Sequence, residues 1–313
     1  DPYAGTLYFR EPVAGRDEHL DPVMIVVEYE TESSGGAISG AGQALTVGGA
    51  GNTTINTDIG ITSGTLTKDG TGTLTLNAAN SYTGLTTVSA GSLSYGVSNA
   101  LNTGAVTVSG GIWNIGAFSD TVGAVTLTGG SITGTTGILT GASYAVQNGT
   151  IGAILAGAGA LTKTTGGTVT LAGANTYTGA TTVSAGILDL QSSAALGGTG
   201  AGTTVASGAA LQIDGNGLTI AEPLTLNGTG VGAGGALRNL ANNNTWSGAI
   251  AVDDVGARIN SDSGLLTLSG AITENGGSTK FLTIGGLGAV EISSIFGGTT
   301  QLGLTKDGSG TLT

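Results

Sequence analysis

The chain has no cysteine. That removes disulfides, thiolate metal ligands and thiol nucleophiles. Its single histidine, His19, has no cysteine or second histidine to join, so it offers neither a metal site nor a triad. Charged residues are 9% of the 313, and the net charge of −12 with a pI near 4.1 lacks the basic stripe that nucleic acid requires. The same balance disfavours an anionic membrane surface. No run of about 18 apolar residues occurs, so no transmembrane helix is expected. With 4 prolines, 2 tryptophans and 4% aromatics, the composition suits a narrow aliphatic core rather than an aromatic-lined pocket.

Glycine is abundant instead, at 61 residues, yet the three-residue collagen period is absent. Glycines separate short runs rich in Thr, Val, Ile and Leu, the pattern of many short strands and tight turns. The stretch LTKDGTGTLTLNAANSYTGLTTVSAGSLSY, from Leu66 to Tyr95, returns from Leu161 to Leu190 with 19 of 30 positions identical. A third copy opens at Leu304 as LTKDGSGTLT. In Thr73-Leu74-Thr75-Leu76 the leucines fall on one face and the threonines on the other, as in a strand. Gly70 and Gly72 supply a turn. Asn80, Tyr82 and Gly84, with Asn175, Tyr177 and Gly179 in the second copy, mark a further corner, where Asn and Gly tolerate left-handed backbone and Tyr covers the bend. A shorter repeat, GAVTVSGG at Gly104 and GAVTLTGG at Gly123, recurs after 19 residues, close to one coil of a solenoid. Stacking such coils would bring strands into parallel register, with Val and Leu inside and Thr in ladders outside. Asn242, Asn243 and Asn244 mark another corner, since Asn populates left-handed backbone and can stack as amide ladders between coils.

The stretch from Asp1 to Glu32 differs from the rest. It holds 8 of the 20 acids and 3 of the 4 prolines, together with the only His and Met. We therefore expect two parts: an acidic segment over 1–36 and an all-β repeat array over 37–313 that stops mid-repeat. Val23, Met24, Ile25, Val26, Val27 and Tyr29 form an apolar strand in the first part. It can cap the solenoid's exposed first coil, or dock onto another subunit's sheet edge and link a homo-oligomer or fibre. The start at Asp1 without Met suits a processed secreted protein, and the mid-repeat stop at Thr313 suggests that the natural chain continues.

The strong repeats resemble the autotransporter-associated β-strand repeat of bacterial autotransporter passenger regions. GGALRNLANNNTWSGAI, SGLLTLSGAI and LTKDGSGTLT are similar to companion coils in large surface proteins of that kind. The resemblance spans residues 37–313 and implies a right-handed parallel β-helix at the cell surface or secreted. It further implies a stalk for adhesion, cell-cell or biofilm contact, with a host-cell, glycan or matrix ligand. A subunit of an extracellular fibre is the alternative. The outer-membrane module of such proteins is not recognisable here.

Chemistry is sparse, and neither cofactor, metal nor catalytic residue is expected. Lys68, Lys163 and Lys306 share one repeat position, which coil geometry explains. Asp253 and Asp254, with Arg238 and Arg258 nearby, are the best candidates for a carboxylate centre of a polysaccharide-degrading β-helix, but adjacent strand residues point to opposite faces. Asp214-Gly215-Asn216-Gly217 lacks the rest of a calcium loop and reads as a turn. A Thr-based ice- or surface-binding plane would need Thr-x-Thr on one face of every coil. The uneven separations of the strong repeats, Leu66 to Leu161 and then the longer Leu161 to Leu304, argue against it.

Overall fold

A computed structural model describes residues 23–25, 38–276, 279–297 and 302–313. In it the chain winds as a parallel β-solenoid of about 12 turns. Each turn has three sides. On the first, Leu45, Leu66, Thr86, Val106, Val125 and Tyr144 occupy one inward row. Leu161, Thr181, Thr203, Leu224, Ile250 and Ile272 continue it. The shortest step in this row is from Tyr144 to Leu161, and the longest is from Leu224 to Ile250. Coil length varies, but along this row the register holds, and the shifts at Leu226 to Gly228 and Asn114 to Gly116 fall outside it.

The reason is that strand residues give and receive their backbone hydrogen bonds along the axis, from coil to coil, so extra residues are placed at corners. The longest coil shows this. Its surplus forms the short 3₁₀ turn Val231–Ala233, outside the stack. The opposite solution also occurs: Asp120–Leu127, Ile138–Val146 and Ile250–Ser261 run round a corner as single strands.

Alternation fills the interior. Three-residue strands on the first side read buried, half-buried, buried, as in Leu45–Val47 and Val106–Val108. Aliphatic side chains stack along the axis, and Trp113 and Trp246 are fully buried among them. Inward threonines need partners. Tyr82 Oη lies 2.7 Å from Thr86 Oγ1, and Tyr177 Oη 2.7 Å from Thr181 Oγ1, both pairs buried. Thr203 Oγ1 donates to Glu222 Oε1 at 3.2 Å.

The strong repeat is thus a corner-building unit. Asn80 Oδ1 accepts from the Ile59 amide at 2.8 Å while its Nδ2 donates to the Ala100 carbonyl at 2.6 Å, tying three successive coils together. Asn175 does the same between Leu155 and Ala195. The physical ground differs from the left-handed backbone expected at this corner, because none of Asn80, Asn175, Gly84 and Gly179 has a positive φ. Gly84 is needed for close approach: a Cβ there would lie 2.0 Å from the Gly64 carbonyl oxygen one coil below. At Gly179 it would lie 2.5 Å from the carbonyl of Gly159. Tyr82 and Tyr177 fill the corner from inside rather than covering it. Left-handed backbone does occur at Gly70 (φ 89) and Asn242 (φ 65).

The third copy sits differently. Leu66 and Leu161 lie on the first side, but Leu304 pairs with Leu282 on the second, and Leu312 bridges to Val290 on the third. The fragment has moved on by one side, yet its local turn is kept: Lys306 Nζ donates to the Gly308 carbonyl at 2.7 Å, as Lys68 Nζ does to Gly70. In the acidic segment, Val23–Ile25 runs parallel to Leu45–Val47 and extends the first side by one strand. Val26, Val27, Tyr29 and His19 lie outside the described residues.

These contacts predict that Gly84→Ala costs about 3 kcal/mol in chemical denaturation, since backbone rather than a pliable side chain must yield. Gly166→Ala, where a Cβ meets nothing within 4 Å, should leave the midpoint unchanged within about 0.5 kcal/mol. Equal midpoints for the two variants would refute the close-approach account.

Candidate functional site

The outward residues of the first side form a threonine ladder. Thr46, Thr67, Thr87, Thr107 and Thr126 are direct neighbours from coil to coil. After Ala145 the row resumes with Thr162, Thr182, Thr204 and Thr225, and after Ala251 with Thr273. Strands about 4.8 Å apart give these twelve positions a length of about 53 Å. This corrects the expectation drawn from uneven repeat spacing. The interval from Leu66 to Leu161 is five whole coils, so the separation preserves the ladder.

A second hydroxyl column flanks part of the first. Two residues beyond the ladder position stand Ser89, Ser109, Thr128, Thr164 and Ser184, with Gln147 between them. Their amides continue the same intercoil bonding, for example Ser109 to Val88 and Thr128 to Val108, at 3.0 and 2.9 Å. The threonines are half-buried by the coils above and below, except the more exposed Thr204. Being β-branched, they are stiff about χ1.

Charge avoids this region. From Gly70 to Leu188 the sequence has only two residues of Asp, Glu, Lys or Arg type, Asp120 and Lys163. Both are buried. Lys163 Nζ donates to the carbonyls of Thr165 and Ala185, and Lys68 Nζ to those of Gly70 and Ala90. Burial lowers the pKa of both lysines. Each recurs as a corner clamp between coils, whereas Lys306, one side on, is exposed.

The carboxylate candidates do not converge. Asp253 Oδ1 accepts from Asn275 Nδ2 at 3.3 Å and lies 3.7 Å from Lys280 Nζ. The Asp254 side chain lies outside the described residues. Arg238 is paired with Asp262, and Arg258 makes two bonds to Asp307 at 2.6 and 2.8 Å, which holds that carboxyl below its ordinary range. Asp214 Oδ2 accepts from Gln191 Nε2 at 3.3 Å. Among the described residues no group of three or more His, Cys, Asp or Glu is placed to hold a metal.

Three buried acids escaped the sequence reading, because their burial depends on which way their strand or corner is turned: Asp120, which accepts from the Leu101 and Thr121 amides, and Glu222 and Asp189. Glu222 is 3% exposed and Asp189 6%, and each has one carboxylate oxygen without a hydrogen-bond partner. Burial raises their pKa values, Glu222 to about 7 and Asp189, with the Asp214 charge adding, to about 6. The folded state therefore retains protons that the unfolded chain releases near pH 4. Stability contributed by these groups is complete below that pH and is lost as pH rises through about 6 to 7. We predict a melting temperature that falls between pH 5 and pH 8. The fall should be smaller in Glu222→Gln or Asp189→Asn and smallest in the double variant. Parallel pH profiles for all four proteins would refute it.

Against known proteins, the passenger-associated-transport-repeat model matches residues 66–94 and 161–190, the two strong repeats. The adhesin BmaC autotransporter of Brucella suis biovar 1 (strain 1330) is 33% identical over 173 residues. That alignment covers 51% of this chain, and the chain spans only 5% of the length of that relative. No solved structure matches. The two matched stretches each build the same corner of a continuous β-solenoid, and in them the chain is similar to the repeats of autotransporter passengers.

Proposed function

We propose that the chain is a non-catalytic stalk within a surface-exposed or secreted, adhesin-like passenger. The supporting observation is the uninterrupted register of the first side: twelve coils share one backbone hydrogen-bonding lattice, as a spacer that transmits force along its axis requires. The described residues add no converging set of reactive groups, and the relative named above is an adhesin. Length is then the functional property, and each coil adds about 4.8 Å. A homo-oligomeric fibre linked through residues 1–36 is the competing reading. The parallel pairing of Val23–Ile25 with Leu45–Val47 of its own chain, which continues the solenoid lattice, favours a cap.

Because Leu66 and Leu161 share a row, deleting residues 66–160 should join Thr65 to Leu161 in register and remove five coils. The product is expected to fold cooperatively and to shorten the rod by about 24 Å in small-angle scattering. A molten or aggregated product would sink the modular-stalk reading. Electron microscopy of the full chain and of a form lacking residues 1–32 tests the alternative. Short single rods are expected in both, and ordered fibres that vanish with the deletion would replace the stalk by the fibre.

A further inference from the structure

We propose that the first side, over the six coils from Thr86 to Ser184, is a docking plane for the surface of a neutral crystalline polysaccharide. The proposal rests on the surface-stalk reading and names what one side of the stalk would hold.

Three observations carry it. The first is the double row of hydroxyls: Thr87 with Ser89, Thr107 with Ser109 and Thr126 with Thr128 on successive coils, then Thr162 with Thr164 and Thr182 with Ser184. Apart from Ser89, whose Oγ donates to the Lys68 carbonyl at 3.2 Å, each hydroxyl can both donate and accept, which is the pairing that sugar hydroxyls offer in return. Each threonine also presents a methyl to the apolar faces of sugar rings.

The second is uniformity where the fold does not demand it. Strand propensity would be served equally by Val or Ile at the ladder positions. Over the same coils the corresponding row of the second side is mixed, running Ser92, Ile112, Ser131, Thr150, Thr170 and Asp189 through paired strands. Threonine recurs from coil to coil on the first side, whereas the second side varies among serine, isoleucine, threonine and aspartate.

The third is charge. A protein of net charge −12 has no exposed Asp, Glu, Lys or Arg between Gly70 and Leu188. A charged partner would find nothing to pair with here, while a neutral one would leave no charge desolvated and unpaired. No ladder position carries an aromatic side chain on which a single sugar chain could stack. Individual contacts are weak, so binding requires a partner that is itself flat, rigid and periodic and engages many coils together.

The test is depletion of the purified full chain from solution by microcrystalline cellulose and by crystalline chitin. Binding is expected to one or both, and to persist at about 1 M salt, because no ion pairs are involved. The variant Thr107→Val/Thr126→Val/Thr162→Val preserves shape and strand propensity, so its melting curve should match the parent while its apparent affinity drops about tenfold. The second-side variant Thr150→Val/Thr170→Val should bind like the parent. No depletion by either solid, or equal losses in both variants, would overturn the proposal. Thermal hysteresis shown by the parent and lost in the first-side variant would assign the plane to ordered water and overturn it too. Rods that shorten as expected on deletion of residues 66–160 but ignore both solids would reject the docking plane and leave the stalk standing.

Discussion

The structure depends on one constraint: each coil must return to the same place on the axis so that its strands complete the backbone bonding of the coil below. Inside the stack there is no alternative partner for a strand amide, and an unpaired buried amide would be costly. Everything irregular is therefore displaced to corners. Along the first side the step from Tyr144 to Leu161 is short and that from Leu224 to Ile250 is long, yet Thr67 still faces Thr87, and Thr182 still faces Thr204. The glycines at Gly84 and Gly179 answer the same demand, since they let one coil's backbone rest against the next where any Cβ would collide.

The polar groups inside the solenoid follow from this too. A narrow core of stacked aliphatic residues has few ways to satisfy a corner carbonyl, and the chain uses side chains that span coils. Asn80 and Asn175 each accept from the coil below and donate to the coil above. Lys68 and Lys163 cap carbonyls of their own turn and of the next coil. This is why the two copies of the strong repeat agree at Asn, Tyr, Gly and Lys, the residues that build and couple the corners, while turn residues such as Asp69 and Leu85 change to Thr164 and Ala180. Glu222 and Asp189 are exceptions, buried with one oxygen unmatched, and they place a pH dependence in an otherwise ion-poor stack.

Much of this was legible in the sequence. The two-residue alternation, the glycine-bounded strands and the short echo between Gly104 and Gly123 indicate parallel coils, and the structure pairs Val106 with Val125 as that spacing requires. What could not be read was the integer number of coils hidden in a long interval. Leu66 and Leu161 are five coils apart, because Thr86, Val106, Val125 and Tyr144 fall between them in one row. The interval from Leu161 to Leu304 is not a whole number of coils, so Leu304 emerges on the second side. Sequence alone treats the two intervals as equally irregular; only register separates one that preserves the ladder from one that rotates it. The burial of Asp189 was hidden for a related reason, since a strand residue's facing shows inward or outward but not what covers the outward side.

The separation of interior from exterior also shows how a solenoid side can be distinctive without a concave site. In a compact enzyme, specificity comes from side chains gathered at one concave place. Here the axis forbids gathering: each strand contributes one outward residue to a row, and neighbouring rows stay parallel for the whole length. A side of a solenoid can be distinctive only by being the same from coil to coil. The first side meets that condition with threonine at ten of its twelve positions, and the second does not. Any recognition by this stretch must therefore be of something extended, because a short ligand would meet only a few hydroxyls that it could equally find in water. The same argument ties function to register, for a single coil out of phase would break the row without breaking the fold.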